Sequence, residues 1–488
     1  MRRIRQWLGL QDTMTVPMML ICFLICFVHS VVRNMKDSLV ITAQGGSAEV
    51  VPFIQVWMML PATLIATYLF TKIATRYSQE KLFYVVIGAF IAFFTLFTFV
   101  LYPLRDILHP HQTADYLTEV LPKGFKGMIS MMRNWTFSGF YTFSELWAAL
   151  VTPVLFWGFA NQITRVEAAR SNYGLYAMGG NFGATVAGSI SYLTSFVPAE
   201  YTIYLLMSIV ITSCCIILAF FRHLNRTLLS GPKHECLRQP INISASSMGL
   251  KQAFGVLLRS KYLLCMGIMV FAYNLVLSLG ELVWRDQLNK LYPNFNDYNA
   301  CLGYTTMSIG VLSLILAAFL PKIIGSLGWT RTALICPLIL LTTGGLFLGC
   351  LYFGDLLPFD SNIILLLAVF FGALMDIGGR ATKNSVFDAT KDMAYIPLDP
   401  EIKLKGKATI DGAISRIGRC TSAASHQVLI LVFSSIGTAV PAVAVILCIS
   451  VGAWILATTS LGKQFNRLIN QKESVASTEE VEPAAVAA

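Results

Sequence analysis

Charge is what this chain has least of. Asp, Glu, Lys and Arg make up 13% of its 488 residues against 56% hydrophobic, and mean hydropathy is +0.65. That balance excludes a soluble protein with an ordinarily charged surface and identifies a polytopic membrane protein. Paired cysteines are missing as well. The 11 cysteines are scattered, for example through apolar runs at Cys22, Cys26, Cys214, Cys215, Cys336 and Cys448, with no CxxC, as small packing residues are, so neither a metal site nor a disulfide framework is expected. Phosphate-cradling motifs are absent too. Gly406-Lys407-Ala408 has no Gly five residues before Gly406, so the Walker A pattern fails. Histidines are few and dispersed, with His109 and His111 the only close pair, which leaves a membrane-embedded enzyme without a catalytic constellation. The chain is read as a non-enzyme without cofactor or metal.

What is present is a succession of apolar runs of the length needed to cross a bilayer. Twelve candidates emerge: 16–32, 51–71, 82–103, 135–160, 172–196, 200–221, 262–284, 302–321, 332–353, 361–379, 411–433 and 437–460. With the N-terminus placed in the cytoplasm, 26 of the 36 basic residues fall in cytoplasmic segments and 8 on the other side. The positive-inside rule therefore puts both termini inside. Basic inner loops facing anionic headgroups also account for the net charge of +10 without nucleic acid as a partner. Arg2, Arg3 and Arg5 before the first run imitate a signal peptide, but no small-residue cleavage site follows and the helix is read as retained. A bacterial inner membrane is the simplest location.

The longest polar interruption, 222–261, divides the spans six and six. Expected boundaries are an N-terminal bundle over 1–221, a cytoplasmic linker over 222–261, a C-terminal bundle over 262–470 and a polar, Ala-rich disordered tail over 471–488. The fold class is all-α, twelve transmembrane helices in two six-helix bundles, major-facilitator-like. Segments 105–133 and 285–298 read as amphipathic rather than spanning. Gly179, Gly180, Gly183, Ala184 and Gly188 share one helix face, which suits close helix packing; a phosphate cradle would need a preceding strand and GxGxxG spacing.

Four charges stand in or beside the apolar runs: Lys36, Glu145, Glu281 and Arg419. Each costs roughly 2.5–3.5 kcal/mol at a helix centre unless it pairs or lines a wet cavity. Arg33, Lys36 and Asp37 end the first span, and an Arg33–Asp37 pair at i, i+4 would free the Lys36 ammonium for a ligand; interfacial snorkelling is the alternative. Glu145 lies too deep to snorkel, so it either pairs with a cation or stays neutral, as a proton-coupling carboxyl does. Glu281 shares a Glu-Leu context with nearby Trp with Glu145. Arg416 and Arg419, three apart, suit bidentate phosphate binding, or they pair with Asp376, Asp411 or Glu145. Asp376 also has Arg380 at i+4 as a local partner. The stretch 383–411, dense in both signs, reads as a solvated loop.

Three stretches carry a resemblance. They are Lys36-Asp-Ser-Leu-Val-Ile-Thr-Ala43 with Ala48-Glu-Val-Val-Pro-Phe53, Glu145-Leu-Trp147 with Phe156-Trp-Gly-Phe-Ala-Asn-Gln-Ile163, and Lys383-Asn-Ser-Val-Phe-Asp-Ala-Thr-Lys-Asp-Met-Ala-Tyr-Ile-Pro-Leu-Asp399 through Lys405-Gly-Lys-Ala-Thr-Ile-Asp411. In these the chain resembles the non-mitochondrial ATP/ADP translocases, the nucleotide transporters of obligate intracellular bacteria and plastids. The resemblance implies transport roles for Lys36, Glu145, Glu281 and Arg419. Lys36 and Arg419 would bind phosphate, with Arg416 and Asn161 as further candidates, and Glu145 and Glu281 would organise or switch the site. Where exchangers of that family have Lys in a Gly-Lys-Ser-Gly-Gly run, this chain has Gly418-Arg-Cys-Thr-Ser422. The implied partners are ATP, ADP and other nucleoside triphosphates, protons in a symport mode, and membrane lipids, with the carrier a monomer. A facilitator for another organic phosphate and a lipid-phosphate enzyme are the rival readings.

Overall fold

The computed structural model describes residues 14–163, 166–227, 255, 260–356, 358, 360–398 and 400–485. Most of the expected linker 222–261 lies outside them. Every described element is helical: α1 Thr15–Ile41, α2 Val50–Ala74, α3 Gln79–Leu101, α4 His111–Val120, α5 Lys126–Arg133, α6 Trp135–Asn161, α7 Val166–Leu193, α8 Ala199–Thr227, α9 Lys261–Leu291, α10 Phe295–Phe353, α11 Ser361–Ala394, α12 Pro400–Lys407, α13 Ser415–Phe433 and α14 Ile436–Ala485. The last helix runs past position 471, through Ala, Glu and Gln, which are strong helix formers.

Nine of these, among the described residues, are long and apolar enough to cross a membrane: α1, α2, α3, α6, α8, α9, α10, α11 and α14. With 59 residues, α10 covers two expected spans and turns at Gly328, whose φ of 74° is open to glycine and strained for other residues. Two further expected spans coincide with α7, rich in Gly, Ser and Asn, and α13, which carries Arg416 and Arg419. Their polarity sets them apart from the nine.

The described residues form two compact units. The first takes Met1–Ser246, Arg285–Leu314 and Gln427–Ile436; the second takes Ser247–Trp284, Ile315–His426 and Gly437–Ala488. Packing, not chain order, sets this division, and α9 changes unit between Trp284 and Arg285.

Within the first unit α1 is the core, buried along most of its length. Its partner α7 presents the expected small-residue face: a β-carbon on Gly179 would fall 2.8 Å from Met19 Cγ, one on Gly180 3.0 Å from Cys26 Sγ, and one on Gly183 would collide with the Phe23 carbonyl. These glycines serve backbone approach. From the other side α6 donates Trp147 Nε1–H to the Ile25 carbonyl at 3.4 Å. Segment 105–133 contains α4 and α5, tied by an Arg133–Asp115 ion pair. The expected separate element over 285–298 does not form. Arg285 and Gln287 are buried, so the stretch completes α9 and opens α10 instead of lying along a surface.

In the second unit, Trp284 donates to the Val369 carbonyl at 3.0 Å and its indole fills the space left by Gly372. Trp329 donates to the Thr390 carbonyl at 2.9 Å, and Tyr262 to the Ala394 carbonyl at 2.7 Å. The reading of 383–411 as a solvated loop is corrected: α11 runs through to Ala394 and α12 follows at Pro400. Its opposite charges pair with one another, within α11 and between α11 and the segment that follows it. Lys383 meets Asp388 at 3.0 Å, Lys391 meets Asp411 at 2.7 Å, and Lys407 meets Asp392 at 3.2 Å.

Candidate functional site

Lys36 sits near the end of α1, 3% exposed, and three groups surround its ammonium. Asp37 Oδ1 lies at 2.7 Å, Glu145 Oε1 at 3.1 Å, and the Tyr141 ring centroid at 3.7 Å. Tyr141 and Glu145 are four residues apart on α6, so one helix face delivers both a carboxylate and an electron-rich ring to the same cation. Of the two fates open to Glu145 from the sequence, pairing and neutralisation, the structure shows pairing. Its side chain nevertheless stays 33% exposed.

Asp37 does not pair with Arg33 in the expected way. Arg285, at the far end of α9, grips its carboxylate with both nitrogens, Nη2 to Oδ2 at 2.6 Å and Nη1 to Oδ1 at 3.1 Å. The fork geometry of guanidinium on carboxylate is the strong, planar kind. Lys36 is therefore not left bare: it shares Oδ1 with Arg285. The result is a line of alternating charge, Glu145, Lys36, Asp37, Arg285, formally neutral as a set.

A second charge set lies in the second unit. Arg380 reaches Glu281 Oε2 through Nη2 at 2.5 Å and Asp376 Oδ1 through Nε at 2.7 Å. The local Asp376–Arg380 pair expected from i, i+4 spacing is present, and Glu281 joins it. One cation here faces two carboxylates.

Arg416 and Arg419 are exposed on α13 and make no ion pair with a described residue. Each carboxylate offered to them by the sequence has another cation: Arg380 for Asp376, Lys391 for Asp411 and Lys36 for Glu145. Asn161, exposed at the end of α6, accepts a hydrogen bond from the Tyr173 hydroxyl at 2.6 Å. Thus the structure joins Lys36 to Glu145 and places Glu281 on Arg380. Asp37 was expected beside Lys36 but with Arg33 as its partner, and Arg285, 248 residues away, is the participant that spacing did not reveal. Among the described residues no cluster of His, Cys, Asp and Glu could hold a metal.

Comparison with known proteins identifies the family. The family described as TLC ATP/ADP transporter matches residues 11–465. ADP,ATP carrier protein 1 of Chlamydia muridarum is 37% identical over 491 residues, covering 96% of this chain and 93% of the relative. The chloroplastic ADP,ATP carrier protein 2 of Arabidopsis thaliana is 35% identical over 475 residues, 94% of this chain and 75% of the relative. Among solved structures, a bacterial homologue of the iron transporter ferroportin, in an inward-facing state, matches with a TM-score of 0.56 at 13% identity, covering 93% of this chain and 99% of that one, a likeness of fold alone. With its multi-pass helical fold and a family match that covers nearly its whole length, this chain belongs to the TLC ATP/ADP transporter family, a family of transporters and not of enzymes.

Proposed function

We propose that the chain carries ribonucleotides of the ATP/ADP type across a bacterial inner membrane by alternating access, as a monomer with twelve crossings in two six-helix bundles and both termini cytoplasmic. The observation that carries this reading is the buried line Glu145, Lys36, Asp37, Arg285 inside a member of this family. A buried ammonium balanced by a partly exposed carboxylate can exchange that partner for a phosphate without leaving a net charge unpaired. Lys36 and Arg419 are the phosphate-binding residues in this reading, with Arg416 and Asn161 in support, while Glu145 and Glu281 hold cations until cargo arrives.

Exchange is the favoured mode. Trading a triphosphate for a diphosphate moves one charge, worth about 2.3 kcal/mol per 100 mV, whereas net entry of about four negative charges would cost about 9 kcal/mol without cotransported cations. Proton symport is the second reading, and the observation in its favour is that Glu145 is the less enclosed of the two carboxylates on Lys36. The deciding experiment is uptake of each labelled ribonucleotide into intact expressing cells, with and without a protonophore. Labelled ATP or ADP should accumulate and be recovered chemically unchanged, and unlabelled ATP should compete. A chain that moves sugar phosphates but no nucleotide, or that returns a hydrolysed product, would overturn the proposal.

A further inference from the structure

The connecting stretches of the first unit are knitted together at the end where α1 finishes. Asn134 Nδ2 donates to the Gln44 carbonyl at 3.1 Å, the Ile436 amide donates to Glu49 Oε1 at 3.2 Å, and Asn296 Nδ2 donates to the Val197 carbonyl at 2.9 Å. Gly124 lies so close to Leu431 that a β-carbon would sit 3.1 Å from its Cα. Beneath them is a polar layer: Thr306 Oγ1 donates to Asn34 Oδ1 at 3.0 Å, and Ser38, Ser191 and Asn299 lie within 3.5 Å of one another in sequence of contact. Between Asn34 and Ser38 on the same helix, Asp37 is gripped by Arg285. Every one of these contacts except Asn134–Gln44 joins the first two hundred residues to Arg285–Leu314 or Gln427–Ile436.

The chemistry of this joint differs from that of the α1–α7 face. Along the middle of that face Met19, Cys26 and the Phe23 backbone meet Gly179, Gly180 and Gly183, with polar pairs, Thr15–Asn172 and Asn34–Ser191, only towards its two ends. Here Gly188 also packs closely on Gly303 and Met307, but beside that contact Asn34, Asp37, Ser38, Asn299, Thr306 and Arg285 meet partners that water can replace. Buried ion pairs add little net stability compared with apolar packing, and their best-attested use is to specify or switch a state. Such a joint suits a surface that parts and rejoins.

We propose that Asp37 and Arg285 are the latch of a gate at this end, opened when Arg285–Leu314 and Gln427–Ile436 move away from α1, and that Lys36 links the latch to cargo. Asp37 Oδ1 holds Lys36 and Arg285 together, and the repulsion between these two cations is offset by Glu145 at 3.1 Å from Lys36. A cargo phosphate on Lys36 supplies the same negative charge. The gate therefore shuts when Lys36 is balanced, by Glu145 in the empty carrier or by phosphate in the loaded one. The link to cargo rests on the carrier reading above; the latch itself does not.

The test uses the full-length carrier with a reporter cysteine, Ser191→Cys, buried in the polar layer, in a background whose other reactive cysteines are replaced and which still transports. Alkylation by a membrane-impermeant maleimide is followed in intact cells and in inverted vesicles. Asp37→Asn and Arg285→Gln should each speed alkylation from the gate side at least tenfold, and the double exchange Asp37→Arg with Arg285→Asp should slow it again. In a second arm, cross-linking of Asn34→Cys to Thr306→Cys should block alkylation and stop transport together. Rates unchanged by both single variants from both sides would overturn the latch, whatever the cargo proves to be. Normal latch behaviour with no ATP or ADP transport would instead overturn the carrier reading and leave the gate standing, because alkylation needs no substrate.

Discussion

Lys36 is held by two carboxylates of unequal freedom, and that inequality gives each its role. Asp37 is 1% exposed at its side chain and locked to Arg285, while Glu145 is 33% exposed and has Lys36 as its ion-pair partner. Glu145 is thus the partner that cargo can displace. Removing one member of a buried pair costs roughly 3–5 kcal/mol because a bare charge is left behind, so Lys36→Ala, which strands Glu145 and half of Asp37, should abolish transport. Glu145→Gln is more informative. The empty carrier then lacks the negative charge that lets its gate shut, but the loaded carrier regains it from phosphate. With the Ser191→Cys reporter, alkylation of the nucleotide-free carrier should speed tenfold or more, a shift of about 1.4 kcal/mol in population, whereas alkylation under saturating ADP should change less than about threefold. Equal changes in both would show a structural role only. Lys36 and Glu145 were legible from their depth in apolar runs. Arg285 was not: directly after an apolar run it looks like any basic residue that orients a helix, and only folding reveals its partner near the other end of the chain.

Helix α7 makes its case by contrast between two of its glycines. Gly183 abuts the Phe23 backbone of α1, while Gly174 has open space around it. Gly183→Val should force the helices apart at a cost of about 1–3 kcal/mol and lower the melting temperature of the detergent-solubilised protein by several degrees. Gly174→Ala should raise or preserve it, since alanine favours a helix by up to about 1 kcal/mol over glycine. The spacing of small residues made this face readable in advance. Segment 383–411 was misread because composition does not distinguish charges that seek water from charges that seek one another, and Lys391 with Asp411 is the second kind. Another element-scale effect is the clasp between the α1–α2 connection and the start of α14. Burial raises the Glu49 carboxyl above the ordinary carboxylate range, against the Ile436 amide bond and Lys126 and Lys290, with Asp286 acting in the same direction as burial. A carboxyl whose pKa is raised in the closed joint and ordinary in the open one binds protons more tightly when closed. Its contribution to closure is present at acid pH and lost as pH rises through the raised value. Alkylation of the Ser191→Cys reporter, taken relative to that of a free thiol at the same pH, should therefore slow as the medium is acidified, and Glu49→Gln should make that relative rate slow and independent of pH.

At the scale of the whole molecule, each unit holds its own charge set, Lys36 and Arg285 with Glu145 and Asp37 in the first, and Arg380 with Glu281 and Asp376 in the second. Neither can take a nucleotide's four negative charges through the membrane field unaided, so the carrier's energetics must come from what travels with the cargo. The apolar runs and their basic flanks made a multi-pass carrier legible, but coupling is a property of a cycle, and no single arrangement of residues spells it out. It can be measured. In proteoliposomes loaded with ADP and bathed in ATP, imposing about 100 mV, inside negative, should shift the final ratio of internal ATP to ADP by roughly 50-fold toward ADP, the equivalent of about 2.3 kcal/mol for one charge moved. A pH gradient imposed without a potential should leave that ratio unchanged in an exchanger. If the pH gradient drives ATP inward on its own, and Glu145→Gln removes that drive while exchange persists, symport through Glu145 is the working mode and the exchange assignment fails.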